Sequence, residues 1–252
     1  KRPRRLRQRR WLYHACRQVH TVSTGIYDEL LALGFPANRL TVVANGVDAQ
    51  RFHPGERHAA REALSLPPDD LVIGIIGRFG PHKRHELLIE AFEKAAGVNP
   101  GVRLLIVGGG GSEENRVAER VRRSAVAARI HFTGFRLDPA PCYRALDLLA
   151  IPSINEGMSN AALEAMACGV PALANAGCGH EQVITSGRDG VIADLGQPVS
   201  LAKELISLLA RPALLMELGR RARQTVETRF SLEAMADAYE GLYRRAAAPA
   251  SN

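Results

Sequence analysis

The sequence predicts an α/β fold, a doubly wound, Rossmann-like parallel sheet with helices on both faces. Two observations carry this reading. Short apolar, β-branched runs alternate with longer stretches of helical periodicity, and the run Val72 to Gly77 lacks the polar face that a half-exposed strand shows. The connections between them span only a few residues, which suits parallel strands joined by helical crossovers rather than hairpins.

The elements follow in order. Val72-Ile73-Gly74-Ile75-Ile76-Gly77 reads as a strand buried on both sides. In His85 to Ala96, Leu88, Ala91, Phe92 and Ala95 recur at helical spacing. Arg103 to Val107 is the next strand and runs into Gly108-Gly109-Gly110-Gly111. A charged helix is expected from about Glu113 to Ala128, then a strand Ile130 to Thr133 closed by Gly134. Pro141 to Leu146 reads as a short helix, Leu148 to Ile151 as a strand, and Ala161 to Cys168 as a helix stopped by Gly169. Val170 to Ala174 is a strand, Glu181 to Thr185 a short helix and Val191 to Ala193 a short strand. Three helices end the chain: Val199 to Leu209, Ala213 to Thr228 and Leu232 to Ala246. Residues 46–252 therefore form one domain. Residues 1–45 read as a basic helix, a strand at Val19 to Val22, a helix at Gly25 to Leu33 and a strand at Leu40 to Val43. That is too short to bury a core alone, so they read as the tail of a preceding domain plus a linker. The chain begins with Lys1 rather than Met and is expected to be part of a longer protein.

Composition narrows the function. Of 252 residues, 46% are hydrophobic and 23% charged, which excludes wholesale disorder. No run of about 18 apolar residues exists to span a bilayer. The net charge is +7, but Lys1 to Arg17 hold eight basic residues and no acid. The other 235 residues hold 25 basic and 26 acidic side chains, so a nucleic-acid partner has no general electrostatic support. Cys16, Cys142, Cys168 and Cys178 form no CxxC pair, which fits a reducing, cytoplasmic setting. His82 and His85 lack a third ligand nearby, and no metal site is expected. The basic start is not followed by the long apolar core of a secretory signal.

In a doubly wound sheet, ligands bind beyond the carboxyl ends of the strands. Arg78 leaves the first buried strand and Lys83 sits where the next helix begins. Two cations beside a helix N-terminus suit a diphosphate; a solvated basic loop is the ordinary alternative. Glu156-Gly157-Met158-Ser159-Asn160 also follows a strand. Ser159 or Asn160 is a natural N-cap and Gly157 permits close backbone approach. Glu156 and Glu164 could accept hydrogen bonds from vicinal hydroxyls of a sugar or ribose. Glu164 lies in an otherwise apolar stretch and needs a partner. The run Gly108 to Gly111 reads as a loop allowing close approach. In Ala176-Gly177-Cys178-Gly179-His180-Glu181, His180 could act as a base but reads more simply as a passive loop histidine, and Cys178 has no evident activating partner beyond it.

Taken together, these loops resemble the C-terminal, donor-binding half of a family 4 glycosyltransferase, a retaining enzyme of the GT-B fold. The matching stretches are Val22-Ser23, Asn45-Gly46-Val47-Asp48 with Phe52 and Pro54, Gly77-Arg78 with Lys83, Leu105 to Gly110, and Phe132-Thr133-Gly134-Phe135. The most specific is Pro152 to Gly157 running into Glu164 to Pro171, whose two glutamates have the E-x7-E spacing of the family. The resemblance implies a nucleotide-sugar donor, UDP- or GDP-linked, with no cofactor and no metal. It implies that Arg78 and Lys83 hold the donor diphosphate and that Glu156 touches the donor sugar. Gly157, Met158, Ser159 and Asn160 would present backbone to sugar and phosphate, Glu164 would bind ribose, and Gly134-Phe135 would meet the nucleobase. The acceptor is expected to be a saccharide or a lipid-linked molecule, as in polysaccharide or lipopolysaccharide assembly, held by an N-terminal domain of which residues 1–45 are the end. Two departures stand out: Gly177 to Glu181 replaces the family's Gly-Gly-x-Pro-Glu, and the acceptor domain is lacking. The rival readings are a non-catalytic nucleotide- or phosphate-binding module and a sugar-nucleotide epimerase of the same fold. The basic start, with Trp11, Leu12 and Tyr13, suits either contact with anionic lipid at the inner face of the membrane or a solvated helix.

Overall fold

The structure is a computed structural model, and it describes residues 16–247. A parallel pair comes first, β1 (Val19–Thr21) and β2 (Leu40–Val42), joined through helix α1 (Thr24–Ala32). Helix α2 (Arg57–Ala63) precedes the main sheet. There β3 (Leu71–Ile76), β4 (Val102–Val107), β5 (Ile130–Gly134), β6 (Leu148–Ile151), β7 (Ala172–Asn175) and β8 (Val191–Ala193) are all parallel, in the spatial order β5-β4-β3-β6-β7-β8. The crossover helices are α3 (His85–Val98), α4 (Glu114–Arg122), α5 (Ala140–Arg144) and α6 (Asn160–Ala167). Helices α7 (Pro198–Leu209), α8 (Pro212–Arg229) and α9 (Leu232–Ala247) end the described chain.

The strands divide their side chains between two cores, as a two-residue period requires. Val72, Leu105, Val107, Leu149 and Ile151 face one layer with Tyr143, Ala162, Met166 and Val226. Ile73, Ile75, Leu104, Ile106 and Leu148 face the other with Leu88, Phe92, Val117 and Leu205. Burying a leucine, isoleucine or phenylalanine on either face contributes about 1.5–3 kcal/mol. The first strand, β3, pairs with β4 on one side and β6 on the other. The winding direction reverses there, and such a reversal opens a crevice at the carboxyl ends.

Several boundaries differ from expectation. The charged helix stops at Arg122, because Ser124 accepts from the Val126 N–H (3.3 Å) and donates to Glu93 (2.6 Å), closing a turn that competes with the helix. The strand expected from Val170 starts at Ala172, since the Val170 N–H bonds back to the Ala165 carbonyl and Pro171 follows. The helix expected over Glu181 to Thr185 is a single 3-10 turn, His180–Gln182. Helix α2 was not predicted: its Arg61 is buried, donating to the Ala145 carbonyl (3.0 Å) and Asp147 (2.6 Å), so a charged residue occupies a core-facing position.

The described part of the N-terminal segment is tied to the main unit. The Thr24 N–H bonds to Gln182 Oε1 (2.8 Å), Tyr239 Oη meets His20 Nε2 (3.1 Å), and Arg17 reaches the Ala246 carbonyl (3.1 Å). The basic helix predicted from Lys1, with Trp11, Leu12 and Tyr13, lies outside the described residues.

Candidate functional site

The crevice between β3 and β6 is built by the loops that leave those two strands. Lys83 closes the 3-10 turn Pro81–Lys83, and Arg84 follows in the left-handed conformation (φ 57°). Arg84 donates to the Gly196 carbonyl (2.6 Å), which fixes the turn, and the Ile154 N–H bonds to the His82 carbonyl (2.9 Å), which joins it to the loop after β6. Lys83 Nζ lies 2.5 Å from Glu156 Oε1. Burial pushes the Glu156 carboxyl upward, but the Lys83 ammonium outweighs it, helped by Ser153 and His180, and the carboxyl ends below its usual range. The Glu156 carboxyl is therefore ionised at neutral pH, facing the Lys83 ammonium. Arg78 is exposed at the rim, and among the described residues its side chain has no hydrogen bond or ion pair. The two cations expected to act alike thus differ: Lys83 is engaged by Glu156, and Arg78 is free.

Past Glu156 the loop turns inward. Ser159 is buried and caps α6, its Oγ accepting from the Ala162 N–H (3.3 Å). Met158 is buried, and its sulfur accepts from the Asn45 N–H (3.2 Å). Asn160 Oδ1 accepts from Asn45 Nδ2 (2.8 Å). Ser159 and Met158 are thus turned into the protein, while Asn160 stays exposed. A Cβ at Gly157 would lie 3.1 Å from Ile26 Cδ1, so α1 packs close over this point.

Glu164 has the partner its setting requires. It accepts from Tyr143 Oη at 2.6 Å, and Tyr143 is fully buried. Burial raises the Glu164 carboxyl above its usual range despite that bond and the nearby Arg51. Glu164 therefore faces a different neighbourhood from Glu156. On the β4–β5 side, Gly108 has room for no side chain, since a Cβ there would sit 1.9 Å from the Gly77 carbonyl oxygen. The glycine run thus lets the loops after β3 and β4 touch. Gly134 ends β5 with its carbonyl accepting from the Gly108 N–H (3.0 Å), and Phe135 stands 71% exposed beside it, next to Gly109.

His180 is not a passive surface histidine. Gly179 takes φ 88°, and a Cβ on it would lie 2.7 Å from the Glu156 carbonyl oxygen, so the loop after β7 presses onto the loop after β6. His180 is buried and neither ring nitrogen has a partner. Burial holds its pKa below the ordinary value, against the pull of Glu156 and Glu181. Sequence reasoning left His180 out of the site and missed Tyr143 and Asn45; the substitution of His180 for the family's proline was the one available signal. Cys178 makes only local contacts, with Ala176 and Asn175. His82 is exposed while His85 is buried against Phe79 (ring centroids 4.7 Å), so the two do not form a ligand pair, and burial beside Lys83 lowers the His85 pKa to about 4. Among the described residues no group of three His, Cys, Asp or Glu side chains could hold a metal ion, and no helix is long and apolar enough to cross a membrane.

Known proteins resemble this chain in sequence and in fold. Residues 56–225 match the family described as "Glycosyl transferases group 1", and residues 1–51 match "Glycosyltransferase Family 4". A D-inositol 3-phosphate glycosyltransferase of Segniliparus rotundus is 37% identical over 215 residues, covering 82% of this chain and 47% of that protein. The enzyme of the same name from Rhodococcus erythropolis is 34% identical over 237 residues, covering 89% and 53%. The chain spans about half the length of the curated relatives it matches. Among solved structures, the sucrose-phosphate synthase of Thermosynechococcus elongatus superposes with a TM-score of 0.81 at 29% identity, covering 90% of this chain and 57% of that one. Anabaena Alr3699/HepE, solved with UDP and glucose, shares the fold with a TM-score of 0.83 at 23% identity, covering 90% and 63%.

Proposed function

The chain belongs to the group 1 glycosyltransferases, and we propose that it is the donor-binding half of a retaining enzyme that moves a sugar from a nucleotide sugar to an acceptor. The observation that carries this reading is the pairing of Lys83 with Glu156 across the β3–β6 crevice, with Arg78 free at its rim. A donor diphosphate meets Arg78 first. It then competes with Glu156 for Lys83, and the carboxylate it releases accepts hydrogen bonds from the hydroxyls of the donor sugar. As the sugar leaves, charge develops on the diphosphate, and two placed cations stabilise that charge in the transition state. Glu164, oriented by Tyr143, receives the ribose hydroxyls, Phe135 lies against the nucleobase, and the backbone from Gly157 to Asn160 lines the sugar and phosphate.

The acceptor belongs to the other half of the protein, with residues 1–45 as the end of that domain. Relatives named as D-inositol 3-phosphate glycosyltransferases add a phosphorylated cyclitol to the acceptors worth testing, beside saccharides and lipid-linked molecules. The reaction takes place in the cytoplasm, where the basic residues before Gln18 can rest on anionic lipid.

Calorimetric titration tests the donor reading, with UDP, UDP-glucose and GDP-mannose as ligands. Charge-assisted hydrogen bonds contribute about 1.5–3 kcal/mol each, and about 1.4 kcal/mol is tenfold in affinity. Arg78→Ala and Lys83→Ala should each weaken nucleoside diphosphate binding at least about tenfold, with thermal unfolding unchanged. Unaltered affinity in both variants removes the diphosphate clamp.

A further inference from the structure

A second cavity lies at the opposite end of the sheet, beneath the amino ends of β6 and β7. Its volume is about 390 Å3, and Arg57, Arg144, Arg220 and Arg223 line it without any carboxylate among the lining residues. That volume falls in the range of small-molecule pockets, about 300–1,000 Å3.

The arginines are incompletely neutralised. Arg57 shares Asp147 with the buried Arg61, at 2.7 and 2.6 Å. Arg220 shares Glu217 with Arg221, at 2.9 and 2.6 Å. Arg223 pairs with Glu227 at 2.7 Å and donates from its other nitrogens to the Ala49, Phe52 and Ala167 carbonyls, so it adds charge to the wall while Arg144 and Arg220 keep donors free. Arg144 has only carbonyl acceptors, those of His53 and Arg51, each at 3.0 Å. Six guanidinium groups therefore answer to three carboxylates. Arg220, Arg223 and Gln224 share one face of α8, at the i, i+3 and i+4 spacing that brings side chains together. Gly55 makes room for Arg144: a Cβ there would lie 2.9 Å from its Cδ. The adjoining cavity, which shares Arg57, carries the acids Asp69, Asp70 and Asp147, so the positive charge is concentrated on the Arg144 side.

Pro54, Leu146 and Val170 supply apolar wall between the cations. Forked guanidinium donors match the paired oxygens of a phosphate, which the point charge of a lysine ammonium does not, and an apolar wall beside them suits a small organic body on the ester. We propose that this cavity is a phosphate-monoester site, separate from the crevice at the carboxyl ends of the strands. It does not depend on the donor reading, since no residue is shared between the two.

Calorimetry with glucose 6-phosphate and with inorganic phosphate, at fixed ionic strength and in saturating UDP, tests it. The expected result is binding that persists in UDP and in Lys83→Ala, with the ester tighter than inorganic phosphate. Gln224→Glu places a carboxylate on the cavity wall without removing a side-chain contact, and should weaken binding at least tenfold. Arg220→Gln should do the same and lies on an exposed helix face, so folding is preserved if Arg144→Gln proves unstable. Displacement by UDP, loss in Lys83→Ala, equal affinity in Gln224→Glu and Arg220→Gln, or no binding of either ligand would each overturn the proposal.

Discussion

Lys83 cannot serve a diphosphate and Glu156 at once, so the ion pair between them sets the sign of a mutational effect. Placement in the sequence alone suggests that Glu156→Gln leaves binding of the bare nucleoside diphosphate nearly intact. With Nζ and Oε1 at 2.5 Å and both side chains largely buried, the carboxylate competes for the ammonium. Glu156→Gln should therefore tighten UDP by about three- to tenfold, since a charge-assisted bond of about 1.5–3 kcal/mol no longer has to be exchanged in full. It should weaken UDP-glucose relative to UDP, and parallel titrations of both ligands read the split; a variant that weakens both equally sinks the exchange. Glu164 gives a pH signature instead. Burial raises its carboxyl, and accepting ribose hydroxyls favours the charged form. Binding then lowers the pKa and releases a proton, so affinity should rise as pH increases from the ordinary carboxylate range through the raised value. UDP-glucose is the ligand to use, because its diphosphate diester does not titrate in that window. The slope should vanish in Glu164→Gln, and a slope that survives assigns the titration to another group.

At the scale of elements, what was legible follows from periodicity. The strands of the main sheet showed themselves because most are runs of apolar residues between helical patterns, and their carboxyl ends located the loops of Arg78, Glu156 and Phe135 without any contact being known. Helix α2 was hidden because Arg61 occupies a core position, where its charge is met by Asp147 and two carbonyls. The pairing of Lys83 with Glu156 was hidden because the partners lie 73 residues apart and only the adjacency of β3 and β6 joins them. The burial of His180 was hidden by its glycine-rich surroundings, which read as an exposed loop; in the structure Gly179 permits contact between the loops after β6 and β7. Gly179→Ala tests that contact. A left-handed conformation costs a residue with a Cβ about 1–2 kcal/mol, and the Cβ would also press on the Glu156 carbonyl. Thermal unfolding should fall by roughly 2–8 °C for a chain of this size. Donor-sugar affinity should fall more than UDP affinity, since Glu156 is displaced while Arg78 is not. A melting point and affinities equal to those of the unaltered protein would separate the two loops.

For the molecule as a whole, the question is what one sheet edge can accomplish alone. The loops after β3, β4, β5, β6 and β7 all open on the carboxyl side, so every group assigned to the donor is present in this chain. The segment from β1 to β2 approaches that edge at one place: α1 lies over Gly157, and the Thr24 N–H bonds to Gln182 Oε1 (2.8 Å). Binding a nucleotide sugar asks only for the donor loops. Transfer asks for more, because the acceptor oxygen must be held about 3–3.5 Å from the sugar carbon, and such positioning contributes about 7–11 kcal/mol to lowering the barrier. The curated relatives have roughly twice the length of the matched region, which leaves room for a second, acceptor-binding wall. Residues 1–252 alone should therefore bind UDP-glucose with an affinity unaffected by EDTA, yet give no appreciable product from a radiolabelled donor with saccharide, lipid-linked or inositol phosphate acceptors. The same residues joined to an acceptor-binding domain of the family should transfer the sugar with retention at the anomeric carbon. Product formation by both proteins, followed by anomeric analysis of the linkage, decides the matter. Robust turnover by residues 1–252 alone would show that this edge already holds an acceptor, and failure to bind any nucleotide sugar would remove the donor assignment of Arg78, Lys83 and Glu156 altogether.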